Sequence, residues 1–411
     1  MFIDLLLCVI GLAILVYSAD KLVESASNLA LSFGVSKMII GLTIVAAGTS
    51  LPEFVVSLNS SIKGNPALSL GNVVGSNIMN IALILGITAI ILPINGTKEM
   101  VKREVPIMIA VTALAWIFAK TGSAITVSEG LILLAIFIVY NIMSYVIGKR
   151  ETKLSEEYEE EVSRFIMQKK NKRNNSKTTS NSNETEIKAI ENNSNEVEKQ
   201  VVENKEENKN DQEKPKEEEK NHSIGANLLF ILVGLVGMVI GSELLVKGAI
   251  NIATAIGISS EIIGLTLVAI GTSLPELATS IVAAKKGQSD LSIGNVLGSN
   301  IFNITAIVGT AAVVPYFSPV NPSPQLSVSA EMLSLHIPIM VVVALILLPI
   351  TITDMKISRQ EGAFFLAIYI CYTIMLFQTT IANKKNEERV TVKSPSIQIP
   401  VEKQKLLNEN K

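Results

Sequence analysis

Three features of this chain predict an all-α membrane protein, with ten transmembrane helices forming two inverted five-helix repeats around a disordered charged central loop. First, apolar residues are segregated: 48% of the 411 residues are hydrophobic and mean hydropathy is +0.43, although a long central stretch is almost wholly polar. Runs of about 18 or more apolar residues suit a helix that rises 1.5 Å per residue through the hydrocarbon. Second, the chain repeats itself. Residues 41–86 (GLTIVAAGTSLPEFVVSLNSSIKGNPALSLGNVVGSNIMNIALILG) reappear without a gap at 264–309 (GLTLVAIGTSLPELATSIVAAKKGQSDLSIGNVLGSNIFNITAIVG), 223 residues later and with 27 of 46 positions identical. Third, each half holds an odd number of apolar runs, so the second half enters the bilayer from the opposite side, which makes the repeat an inverted one.

Taken in order, spans are expected near residues 3–19, 38–62, 68–92, 103–120 and 125–147, then near 224–246, 260–284, 289–315, 330–350 and 361–380. Residues 1–147 therefore form the first repeat and 223–380 the second, with a charged linker at 148–222 and a polar tail at 381–411. The N-terminal run lacks the basic flank and small-residue cleavage site of a secretory signal and reads as a retained first span. Runs such as EEYEEE and EKPKEEEK in the linker cannot bury enough apolar surface to offset chain entropy, so it is expected to be disordered or loosely helical. Glu156 to Glu161 read as a solvated charge run rather than a regulatory calcium site. With the N-terminus outside, the inner loops carry Lys21, Lys37, Lys98, Lys102, Arg103, Lys285, Lys286, Lys356 and Arg359, against Lys63, Lys120 and Lys247 outside. That asymmetry places the central loop in the cytoplasm, although Lys384 and Lys385 in the tail argue mildly the other way.

Several chemistries are set aside early. Cys8 and Cys371 sit in apolar runs near opposite ends, and the two histidines, His222 and His336, are too few for zinc chemistry. A net charge of −2 points to no nucleic-acid partner, and nothing calls for a cofactor.

Each repeat copy carries one carboxylate, Glu53 or Glu276, near the middle of a run long enough to span. A charge at that depth costs roughly 2.5–3.5 kcal/mol on insertion scales, so it marks function unless it is a protonated packing residue, and its repetition favours function. Pro52 and Pro275 have no N–H, which deprives the carbonyls four residues back, at Gly48 and Gly271, of their helical partners. Freed carbonyls at membrane depth persist only where something satisfies them. Thr49 and Ser50 precede Glu53 by four and three residues and share its helix face, as Thr272 and Ser273 do for Glu276. In the next span Asn72, Ser76 and Asn80 recur at intervals of four, and so do Asn295, Ser299 and Asn303. The assembled set is all oxygen, without imidazole or thiolate, and suits Ca²⁺ or Na⁺ over zinc or copper. Two carboxylates are balanced by one Ca²⁺ or two protons, so the site is costly to move across the membrane empty, which is the electrostatic logic of obligatory exchange. Gly71, Gly75, Gly294 and Gly298 read as packing residues in preference to ligands.

At GTSLPE and at GN-x-x-GSNI-x-N the sequence resembles the cation/calcium antiporter superfamily and, within it, sodium/calcium exchangers of the prokaryotic type, over both halves of the membrane portion. The resemblance implies ten transmembrane helices and Ca²⁺/Na⁺ exchange across the cell membrane. It implies that Glu53 and Glu276 are central calcium ligands assisted by the backbone carbonyls of Thr49 and Thr272. Sodium would be held by Ala46, Ser50, Ser76, Ala269, Ser273 and Ser299, with Asn80 and Asn303 lining the middle of the site. Family members often carry Asp at one of the last two positions, so this site has one carboxylate fewer. The linker shows no alternating strand pattern of the β-sandwich calcium sensors found in animal exchangers. The expected function is therefore Ca²⁺/Na⁺ antiport, with H⁺ as the alternative coupling ion. An intramembrane enzyme is disfavoured by the lack of histidine and by the symmetry of the two carboxylates, since a catalytic acid and base need unlike environments; a channel remains the third class.

Overall fold

The computed structural model of the protein describes residues 2–176, 223–256, 269–318 and 325–393. Residues up to Leu366 form one compact unit, and Ala367 onward a second whose described part continues the last helix.

The first repeat begins with α1 (Phe2–Phe33) and a bent pair, α2 (Lys37–Thr49) and α3 (Leu51–Ile62), which meet at 49° across Ser50. It continues with α4 (Pro66–Ile91), α5 (Met100–Gly122) and α6 (Val127–Ser176). The second repeat holds α7 (Ile224–Ala255), α8 (Ala269–Thr272), α9 (Leu274–Lys285), α10 (Ser289–Phe317), α11 (Met332–Thr353) and α12 (Arg359–Lys393). Two short antiparallel ribbons join the halves: β1 (Ile94–Asn95) pairs with β4 (Lys356–Ile357), and β2 (Ala124–Thr126) with β3 (Gln325–Ser327).

Among the described residues eight helices are long and apolar enough to cross a membrane, and the α2–α3 pair makes a ninth. Of the span expected at 260–284, residues 260–268 lie outside the described residues, and 269–284 hold α8 and most of α9. The protein is thus an all-α membrane protein with inverted repeats.

Local signals recur between the halves. Pro66 and an Asn65 side chain that accepts from the Leu68 N–H start α4. Thr126 and Glu129 form a capping box at the start of α6, and Ser358 and Glu361 form its counterpart at α12, each carboxylate accepting from both the cap backbone N–H and the cap hydroxyl. Gly64 (φ 74°) and Gly287 (φ 69°) turn the α3–α4 and α9–α10 hairpins in the left-handed region that favours glycine. π-helical turns interrupt α2 at Gly41–Val45, α4 at Asn80–Leu85 and α10 at Asn303–Val308, and open α5 and α11. Such turns gather at functional sites.

The packing follows the small residues. A Cβ on Gly11 of α1 would fall 2.7 Å from the Gly241 carbonyl oxygen of α7, so these two backbones touch. Similarly, a Cβ on Gly294 would fall 2.6 Å from the Met38 carbonyl oxygen, and one on Gly298 would run into that of Leu42. The expectation of packing therefore describes these two glycines, which let α10 cross directly over α2. Helix α6 continues past the expected membrane edge to Ser176, and α12 past 380 to Lys393; residues 177–222 and 394–411 lie outside the described residues.

Candidate cation site

The breaks at Ser50 and Ser273 bring the repeat motif together. Both serines leave the helical region (ψ 9° and 7°), so Glu53 and Glu276 sit in the first turn of new helices, α3 and α9. Their side chains turn inward: each glutamate is 1% exposed. Thr49, Ser50, Ser76, Asn80, Ser273, Ser299 and Asn303 are also buried, Ala46 is fully buried, and Thr272 is half-buried. Ala269 opens α8, four residues before Ser273.

Each carboxyl group is held by the opposite repeat. Ser50 Oγ donates to Glu276 Oε1 and Ser273 Oγ to Glu53 Oε1, both at 2.9 Å. Two further bonds cross the halves: Thr49 Oγ1 donates to Asn295 Oδ1 at 3.1 Å, and Asn303 Nδ2 to Asn77 Oδ1 at 3.0 Å. Many hydroxyls in membrane helices are spent on the preceding turn, as Thr43 and Thr305 are here on the carbonyls of Ile39 and Ile301. Ser50 and Ser273 instead reach across the interface.

Asn72 and Asn295 act behind the carboxylates. Asn72 Nδ2 donates to the Glu53 carbonyl at 3.2 Å and to Ser57 Oγ at 2.9 Å; Asn295 Nδ2 donates to the Glu276 carbonyl at 3.4 Å and to Ser280 Oγ at 3.2 Å. These amides fix the backbone that carries each glutamate.

Of the buried oxygens without a hydrogen-bond partner among the described residues, five belong to the residues singled out from the repeat: Glu53 Oε2, Glu276 Oε2, Asn80 Oδ1, Asn303 Oδ1 and Ser299 Oγ. An unsatisfied buried polar atom costs about 1–3 kcal/mol, more for a charged group. All five are oxygens and come from both repeats, and oxygen is the atom type that a hard cation takes. Among the described residues no three His, Cys, Asp or Glu side chains cluster, so any cation here rests on carboxylates aided by neutral oxygens.

This arrangement has known relatives. The profile of the sodium/calcium exchanger protein family matches residues 3–146 and 226–378. The chain belongs to that family. Its matches include a putative antiporter, CaxA, of Alkalimonas amylolytica, 31% identical over 92% of this chain and 100% of the relative. The sodium/calcium exchanger MaX1 of Methanosarcina acetivorans is 32% identical over 91% of this chain and 99% of its own. Among solved structures, the sodium-calcium exchanger NCX_Mj soaked with zero Na⁺ and Ca²⁺ superposes with a TM-score of 0.66 at 28% identity, covering 91% of this chain and 99% of that one. The protein is therefore a multi-pass membrane transporter of the cation/calcium exchanger kind and not an enzyme, which removes the intramembrane-enzyme reading.

Sequence reasoning missed Asn77, Ser57 and Ser280 as members of this network, although all three lie at positions identical between the exchanger repeats. It also missed Glu104, a fully buried carboxylate that accepts from Arg103 Nε at 2.6 Å and from the Tyr140 hydroxyl at 2.7 Å. No repeat identity marked that residue.

Proposed function

We propose that this exchanger moves Ca²⁺ out of the cell against inward Na⁺, by alternating access around the Glu53/Glu276 site. The observation that carries the reading is the pair of glutamates, each with one oxygen bonded by a serine of the other repeat and the second oxygen unspent. One Ca²⁺ balances the two carboxylates, whose free oxygens, with the Thr49 and Thr272 carbonyls, are its ligands. Na⁺ ions replace it at oxygens of Ala46, Ser50, Ser76, Ala269, Ser273 and Ser299, with Asn80 and Asn303 lining the middle. Because Ser50 and Ser273 bridge the repeats, losing the cation weakens the tie between them, and rocking at the α2–α3 and α8–α9 breaks then exposes the site to one face at a time. The named relatives MaX1 and NCX_Mj support sodium as the coupling ion. The balance of lysine and arginine in the short loops supports an external N-terminus and a cytoplasmic linker between two five-helix domains.

Purified protein in liposomes tests this. Ca²⁺ uptake driven by an outward Na⁺ gradient at clamped pH is the expected result. Uptake that ignores Na⁺ and follows a pH gradient would replace sodium with protons, and flux needing no counter-ion at all would make the protein a channel.

A further inference from the structure

One helical turn beyond each glutamate, towards the hairpin turns, the two repeats place serines opposite each other: Ser57 faces Ser69 between α3 and α4, and Ser280 faces Ser292 between α9 and α10. In the second hairpin both hydroxyls are engaged. Ser292 Oγ donates to the Ser280 carbonyl at 2.9 Å, and Ser280 Oγ accepts from Asn295. The first hairpin reverses the donor. Ser57 Oγ accepts from Asn72 and donates to the Ser69 carbonyl at 3.3 Å, which leaves Ser69 Oγ without a partner although Ser69 is only 1% exposed. Ser69 precedes Asn72 by three residues and therefore shares its face of α4. Asn72 in turn holds the Glu53 carbonyl, so one amide links the Ser57–Ser69 pair to the backbone of the cation site.

We propose that Ser69, with Ser57 beside it, forms a secondary cation position on the route between Glu53 and the membrane face at which the α3–α4 hairpin turns, and that a partly dehydrated Na⁺ occupies it. The proposal rests on the sodium reading above. The oxygens here are neutral, which suits a monovalent ion; Ca²⁺ draws on carboxylates and on more ligands than this turn provides. The Ser292 hydroxyl is spent inside its own hairpin and does not offer the same ligand in the second repeat.

The test is Na⁺-dependent Ca²⁺ flux in oriented proteoliposomes, with Na⁺ varied on one face at a time. Ser69→Ala is expected to raise the Na⁺ half-saturation on the hairpin face by about threefold to tenfold, the value of one lost ligand interaction, and to leave the opposite face at the wild-type value. Ser69→Thr, which keeps a hydroxyl, restores the wild-type dependence. Ser292→Ala leaves the Na⁺ dependence unchanged on both faces. Should Ser69→Ala fail to fold, Ser69→Cys keeps the volume, substitutes a soft sulfur for the hard oxygen, and is expected to show the same one-sided shift. Wild-type Na⁺ dependence in folded Ser69→Ala or Ser69→Cys, or an equal shift on both faces, overturns the proposal and leaves the hydroxyl to water or packing. Flux in the unsubstituted protein that ignores Na⁺ overturns the sodium reading itself, so the two failures are told apart before any variant is made.

Discussion

Glu104 closes the π-helical turn that opens α5, and His336 closes the corresponding turn of α11. Glu104 is fully buried and bound to Arg103 and Tyr140, and Arg103 reaches on to Glu151 of α6 at 2.9 Å. His336, 7% exposed, lies 3.7 Å from the half-exposed Glu331 carboxylate. At Glu53 and Glu276, by contrast, the repeats use the same residue in the same way, down to the serine that bonds each. The contacts Ser50–Glu276 and Ser273–Glu53 are the same residue pair with the repeats exchanged, so the two halves make one demand of each other there. Side chains that face only their own repeat are free to differ.

The sharpest way to break that comparison is to unbalance the central pair. Glu53→Gln and Glu276→Gln should each abolish Ca²⁺ flux in liposomes while the protein stays folded; normal flux in either would show that the two carboxylates are not one site. The peripheral contrast is tested by stability. Glu104→Ala leaves Arg103 and the Tyr140 hydroxyl without their shared acceptor, and loss of one partner from a buried pair costs about 3–5 kcal/mol. A large drop in melting temperature in detergent is expected there, with a smaller one for His336→Ala, and equal drops would erase the distinction between the halves. Gly294→Ala sets a methyl group against the Met38 carbonyl and should cost about 1–3 kcal/mol by overpacking, read as lower thermal stability. Asn303→Asp restores a third carboxylate to the site and should change cation preference or pH dependence in flux assays with little change in folding. The smallest effect belongs to the linker. Deleting Glu156 to Lys216 should leave flux largely intact in correctly inserted protein, and its loss would give that segment more than a tethering role.

Much of the site was legible because the repeat is written in the sequence. Glu53, Ser50 and Pro52 stand out through their copies at Glu276, Ser273 and Pro275, and a proline followed by a carboxylate inside an apolar run marks a helix broken for a polar task. Asn77 lies in the same repeated GSNI string, yet nothing local separates an amide that bonds Asn303 from one that back-bonds within its helix, as Asn300 does to Val296. Glu104 was illegible for a different reason. It lies at the edge of a span beside Arg103, where a charge reads as interfacial, and only the approach of α6 buries it.

The sequence by itself determined the membrane class, the doubling, the inversion and the pair of acidic residues inside apolar runs, since these follow from hydropathy, counting and internal identity. The tertiary structure decided which repeat serves which glutamate, which oxygens are left unspent, and that two hairpins with serines at matching positions use them differently. Hydrogen bonds between residues some 220 positions apart depend on the angle and depth at which two helices cross, and that geometry is set by the packing of the whole chain.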